Sequence, residues 1–253
     1  MKPHLSIKTL MSLLLLTCLL PTSLLAANFT LSPVRIHFEA KQRTDIINIK
    51  NNSQEEIKLQ VSNYSWSQDQ QAKDVLAETD DLIVFPKLLS IAPGQTSLLR
   101  IGKRVAATEQ EQLYRVFIEE LPDLNQAPSA QTTVRTLTKA GIPVFITPHK
   151  VQAEGELRGL SLTAGAVDLA MHNTGNVHFM IHSIRIKGVD EAGNTILERE
   201  AAGWYLHPSH SKTYSLTIPR QDCLKMHTIE AEVTTDKFSE SERIDVVASM
   251  CGA

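Results

Sequence analysis

Apolar and polar positions alternate along most of this chain, and helical periodicity is nearly absent. The segment "FTLSPVRIHF" (29–38) alternates, and "TDIINIKNNS" (44–53) carries Ile46, Ile47 and Ile49 into a cluster of turn residues. "EIKLQVSNYSW" (56–66) places Ile57, Leu59 and Val61 on one face, the pattern of a half-buried strand. Residues 67–81 read as polar loop. The stretch 81–102 holds a strand, a Phe-Pro step, a Pro-Gly turn and a second strand, and "QLYRVFIEELP" (112–122) is a strong strand closed by Pro122. After a loop over 123–131 comes "TTVRTLTKAGIPVFITP" (132–148), long and rich in Thr, Val and Ile. Gly141 and Pro143 interrupt its second half. Proline cannot donate to a ladder, so this strand is expected at a sheet edge, with a bulge or a change of pairing near Gly141.

The stretch "HKVQAEGELRG" (149–159) is nearly free of apolar residues and reads as a linker. Beyond it strands resume at 160–173, 177–189, 195–200, 211–219, 226–235 and 242–249, with a Gly193-Asn194 turn. The pattern predicts an all-β protein of two immunoglobulin-like β-sandwich domains, 27–148 and 160–253, the first with about seven strands. Sandwiches of about 110 residues are large enough to bury a core.

The first 26 residues stand apart. Lys2 and Lys8 precede an apolar run, Leu10 to Leu20, and small residues follow at Ala26 and Ala27, the design of a cleaved secretory leader. Export across the inner membrane to the periplasm is the expected destination. The run is too short to span a bilayer, and no later run is longer. The formal charge of −3 becomes −5 once Lys2 and Lys8 leave with the leader, which disfavours a nucleic-acid partner. Cys223 and Cys251 then remain, an even pair in an exported chain, and they are expected to form a disulfide.

Signs of catalysis are weak. His172, His178 and His182 have even spacings, but "NTGN" (173–176) breaks their parity, and neither "HPSH" (207–210) nor Cys223 with His227 has a carboxylate at a metal-site spacing. The histidines read as surface residues of hairpins. No Gly-rich phosphate loop and no GxSxG elbow occur. No enzyme activity, metal or cofactor is expected.

Several spaced segments carry a family resemblance. "LSPVRIHFEAKQRTDIINIKNNS", "VFPKLLSIAPGQTSLLRIG", "QLYRVFIEELP" and "GIPVFITP" follow one another as in the PapD-like periplasmic chaperones of the chaperone–usher pilus pathway. The similarity covers residues 31–148, and "GIPVF" resembles the archaic (sigma-type) branch. It implies a boomerang of two immunoglobulin-like domains that lends a strand to a pilin lacking its last one and delivers it to an outer-membrane usher. Strand addition of this kind is an established mode of recognition. The free protein, with such an edge exposed, is a candidate for self-capping as a homodimer. The other reading of an exported β-sandwich protein is a structural or adhesive subunit of a surface appendage.

The resemblance also implies site residues. Arg35 falls where the family keeps a cleft arginine that anchors the pilin's C-terminal carboxylate; on residue type alone it would be an exposed strand arginine. The family's second anchor, a lysine in the last strand of the first domain, falls at Pro143. The nearest bases are Lys139 and Arg135, and Lys139 has the parity of Pro143. Val134, Thr136 and Leu137 are the candidate donor residues, although Leu137 is out of phase with the other two. By periodicity alone the segment is equally an ordinary edge strand. Pro86 matches a family proline that is often cis.

Overall fold

The computed structural model describes residues 28–122 and 136–252. The leader, Val134 and Arg135 lie outside the described residues. Among the described residues ten strands build the first domain: β1 (Phe29–Ser32), β2 (Ile36–Phe38), β3 (Thr44–Asn51), β4 (Ile57–Gln68), β5 (Asp74–Glu78), β6 (Leu82–Phe85), β7 (Leu88–Ile91), β8 (Thr96–Lys103), β9 (Gln112–Glu120) and β10 (Lys139–Ile146). They form a smaller sheet, β1-β3-β8-β6, and a larger one, β2-β10-β9-β4-β5, with β7 paired to the start of β4. Alternation supplies the core. Ile47 and Ile49, Leu99 and Ile101, Leu59 and Val61, and Val116 and Ile118 turn inward and pack as one buried cluster. Each contributes roughly 1.5–3 kcal/mol.

The second domain is also a sandwich. Strands β11 (Gly155–Thr163), β12 (Ala166–Asn173) and β16 (Ser211–Thr217) make one sheet. Strands β14 (Thr195–Ala201), β13 (Phe179–Val189), β17 (Thr228–Thr235) and β18 (Ser239–Asp245) make the other, with β15 (Tyr205–Leu206) on β13. Val167, Leu169, Met171, Phe179, Ile229 and Val233 fill its core. A short helix, α1 (Arg220–Cys223), and a 3-10 turn (Ala248–Cys251) bring Cys223 to Cys251 in a disulfide. Among the described residues no helix is long and apolar enough to cross a membrane.

The structure departs from the sequence pattern in several places. The polar stretch 67–81 contains the end of β4 and the whole of β5. All five residues of β5 are exposed, so backbone pairing to β4 holds it and no apolar period marks it. Of the polar stretch 149–159, residues from Gly155 onward belong to β11, an edge strand with a solvated face. Of the bulge or change of pairing expected near Gly141, the bulge is absent, because β10 pairs with β9 in unbroken register from Lys139↔Glu119 to Ile146↔Gln112, whereas the pairing does change at Val144, where β2 joins. The phenyl ring of Phe117 lies over Gly141, so close that a Cβ there would sit 3.0 Å from it. The Phe85-Pro86 peptide is cis, as is Ser32-Pro33.

Candidate functional site

Strand β10 has two halves. Its last three residues, Val144 to Ile146, lie between β9 and the parallel β2. From Lys139 to Pro143 only β9 pairs with it among the described residues. The Glu120 N–H donates to Thr138 O at 2.9 Å, which fixes the phase of the ladder. Directly bonded pairs alternate in an antiparallel ladder, so residues 140, 142 and 144 bond to β9, whereas 139, 141 and 143 direct their N–H and C=O away from it. The Thr147 N–H, which reaches Phe38 O on β2 at 3.0 Å, follows the same parity. Pro143 therefore breaks no bond to β9, and its ring nitrogen sits on the unpaired side. The open edge offers complete peptide groups at Lys139 and Gly141; Pro143 has no N–H to offer, and its carbonyl lies where the parallel pairing of Val144 with Ile36 begins.

The side chains divide in the same rhythm. Ala140, Ile142, Val144 and Ile146 face the first domain's core. Lys139, Gly141, Pro143 and Phe145 face outward, beside Glu119, Phe117, Arg115 and Leu113 of β9. This outer face runs down into the junction between the domains. There Trp66, Phe145 and Tyr205 form a buried aromatic cluster. Tyr205 meets Trp66 edge-on at 5.1 Å, and the His178 ring stacks on Phe145 at 3.9 Å.

Arg115 stands at the top of this cluster. Its guanidinium carbon lies 3.7 Å over the Trp66 ring and 5.6 Å from the Trp204 and Tyr205 rings. Its side chain is only 11% exposed, and its Nη2 is buried without a hydrogen bond; the nearest carboxylate, Asp74, is 4.0 Å away. Burial pulls its pKa below the ordinary arginine value and Arg35 adds to that, with Asp74 and Tyr205 acting against them. A cation under these constraints has an unmet demand for an acceptor, and a carboxylate matches its planar fork. Arg35 is exposed and reaches the same aromatic wall, 5.6 Å from the Tyr205 ring centre.

Arg35, Arg115 and Pro143 thus share one region of the domain junction, Arg115 being the cross-strand partner of Pro143. Lys139 does not join them. Four residues along a strand separate it from Pro143 by about 13 Å. It pairs with Glu119 at 3.0 Å and lies 5.0 Å from the Phe117 ring centre, at the far end of the open edge. Thr136 and Leu137 are exposed and precede β10. Sequence reasoning missed Arg115, although a signal existed. It occupies an outward position of β9 between the outward Leu113 and Phe117, and two apolar neighbours on an outer face mark a face that something covers.

The histidines also differ from expectation. His178 and His207 are buried, because each faces the other domain and not water. Glu111 Oε2 accepts both the His178 backbone N–H at 2.8 Å and its Nδ1 at 2.6 Å. His207 packs edge-on against Trp66 at 4.5 Å, and burial above all, with His210, His178 and Arg115 nearby, drops its pKa to about 3. Among the described residues no three His, Cys, Asp or Glu side chains are placed to hold a metal ion.

Comparison with known proteins adds a family. Residues 28–152 match the family model of the pili and flagellar-assembly chaperone PapD N-terminal domain. No curated protein matches the sequence. The fold is similar to that in the CsuC–CsuE chaperone–tip adhesion subunit pre-assembly complex from archaic chaperone–usher Csu pili of Acinetobacter baumannii. The TM-score is 0.58 at 19% identity, over 86% of this chain and 98% of that one. The Salmonella enterica SafA pilin–SafB chaperone complex gives 0.56 at 20% identity, over 88% and 99%. The E. coli chaperone DraB gives 0.53 at 16% identity, over 87% and 97%.

Proposed function

The chain belongs to the PapD-like family of pilus-assembly chaperones, and from that premise we propose that it holds a pilin by two contacts at once. The open edge of β10, with the segment before it, is lent to the pilin as its missing strand. The pilin's C-terminal carboxylate sits on Arg115 and Arg35. The periplasm is the place of this reaction, and an outer-membrane usher is the recipient of the pilin.

The observation that carries the reading is the buried Nη2 of Arg115, without a hydrogen bond and 4.0 Å from Asp74, beside a strand whose edge is open from Lys139 to Gly141 among the described residues. A ladder that starts at Lys139 loses its last donor at Pro143. The partner strand therefore ends its pairing at the level of Arg115, and its terminal carboxylate arrives where the guanidinium waits. Arg115 supplies from the neighbouring strand the charge that other members of the family place at the Pro143 position. Without a pilin, the same edge is open to a second copy of the chain, which makes a self-capped homodimer the resting form in this reading.

Arg35→Ala and Arg115→Ala are the test. Both variants are expected to fold and to be exported, and to leave a co-expressed pilin open to degradation. Truncating one side of a buried charged contact removes about 2–5 kcal/mol of binding, so Arg115→Ala is the more severe. Normal pilus assembly by the double variant overturns the reading.

A further inference from the structure

One hairpin of the first domain is built into the second. Strand β4, the turn that follows it and β5 carry this contact. Ala72, at the turn with a left-handed φ of 55°, is buried within the second domain's core cluster. The turn is kept in shape by Asp69, whose carboxylate accepts the N–H groups of Gln71 and Lys73 at 2.9 Å. From the second domain, Lys212 donates to Gln71 O at 3.3 Å and Trp204 Nε1 donates to Asp74 Oδ2 at 3.1 Å.

Gln68 makes the central contact. It is buried, its Nε2 donates to Tyr205 O at 2.8 Å, and its Oε1 accepts the His207 N–H at 2.9 Å. Its backbone carbonyl accepts from His210 Nε2 at 2.8 Å. The side-chain amide thus behaves as one peptide group of a strand laid along residues 205–207. Only an amide carries the donor and the acceptor that this position requires. The residue it grips, Tyr205, supplies the ring that faces both Arg35 and Arg115 at 5.6 Å.

We propose that the β4–β5 hairpin is the strut that sets the two domains at a fixed angle, and that Gln68 is the positioning residue for the arginine cleft. Holding Tyr205 by its backbone keeps the aromatic wall against Arg115. This preforms the carboxylate site, so that binding orders little. The positioning role rests on the cleft reading above; the strut itself does not.

The test uses the full chain with Gln68→Glu, which keeps the shape and turns the donor into an acceptor facing Tyr205 O, and Gln68→Met, which removes both. Residual dipolar couplings report the orientation of each domain. The binding probe is a synthetic peptide of alternating valine and threonine with an N-terminal lysine tail, ending in a free carboxylate or in an amide. In the parent, both domains are expected to fit one alignment tensor, and the acid is expected to bind at least about tenfold tighter than the amide. In both variants each domain stays internally consistent but takes its own tensor, and the preference for the acid falls to near unity while binding of the amide is kept. A single tensor with the preference intact overturns the proposal. Equal loss of both peptides overturns the positioning role, since it means a general loss of structure. If the parent shows no preference, or Arg115→Ala keeps it, the cleft reading fails, and the tensors still decide whether the hairpin is a strut.

Discussion

At one edge of the larger first-domain sheet stands β5, and at the other stands β10 with β2 beside only its last three residues. Both edges reach the second domain, but by opposite ends of their chemistry. Strand β5 is short, exposed on both faces and flanked by Asp74 and Glu78, the features that discourage further pairing. Its hairpin turn is committed to the second domain through Ala72 and Gln68. Strand β10 keeps Ala140, Ile142, Val144 and Ile146 on the core face, is buried through its last five residues and, among the described residues, leaves its first half unpaired on one side. An edge is not open because it is exposed. It is open because a well-anchored strand continues past the point where its neighbour stops.

The anchored half of β10 carries the largest expected effect. Phe145 is fully buried, is stacked on His178 at 3.9 Å and belongs to the aromatic cluster shared by both domains. Phe145→Ala should lower stability by about 3–5 kcal/mol, read from urea unfolding. A loss below about 1 kcal/mol, the ordinary range for surface changes, would show that this half is not what anchors the open one.

Acid should attack the same junction. The His207 pKa is about 3 when folded, against 6.5 as its ordinary value, so only the unfolded chain takes up a proton as pH falls. The stabilising contribution is complete above the ordinary value and is lost as pH falls from there towards 3. From neutral pH to about pH 5 the loss comes to about 2 kcal/mol. His37, whose pKa is also lowered by burial and by His178, acts in the same direction. Because His207 Nε2 is buried without a partner, His207→Phe should keep neutral-pH stability and flatten the acid profile. A parent profile flat from neutral to pH 5 would contradict this.

Much of the sandwich is legible in the sequence because half-buried strands print their burial as alternation. Ile57, Leu59 and Val61 of β4 and the alternating apolar residues of β9 do so plainly. Strand β5 does not, since its pairing is made by backbone alone. The same gap hides the domain junction. Gln68, His178 and His207 are polar residues that local pattern assigns to water, and they are buried by a domain more than a hundred positions away in the case of Gln68 and Tyr205. Arg35 was legible only through family resemblance. Arg115 needed one further step, the recognition that an arginine between Leu113 and Phe117 on an outward face is under cover.

Pro143→Ala sharpens the difference between the halves of β10. The substitution supplies an N–H on the unpaired side and leaves the bonds to β9 as they are. Stability should fall by at least about 0.4–1 kcal/mol from the greater freedom of the unfolded chain, and further because the buried ring is replaced by a smaller side chain. Self-association should rise, because the open edge gains a donor. Sedimentation velocity measures this, and an unchanged monomer fraction at matched concentration would mean that Pro143 does not limit the edge.

The smallest effect is expected at Lys139. Its pair with Glu119 is about half exposed on both sides, 54% and 50%, and contributes at most about 1 kcal/mol. Lys139→Ala should leave the unfolding curve nearly unchanged, and co-expressed pilin should still be protected, because Lys139 stands about 13 Å along the strand from Pro143 and the arginines. The result separates two geometries for the same family. If a basic residue of β10 itself must hold the pilin's carboxylate, pilin is lost in Lys139→Ala and kept in Arg115→Ala. If the charge has moved to the neighbouring strand, the order is reversed, and the proline in β10 and the arginine opposite it are two halves of one change.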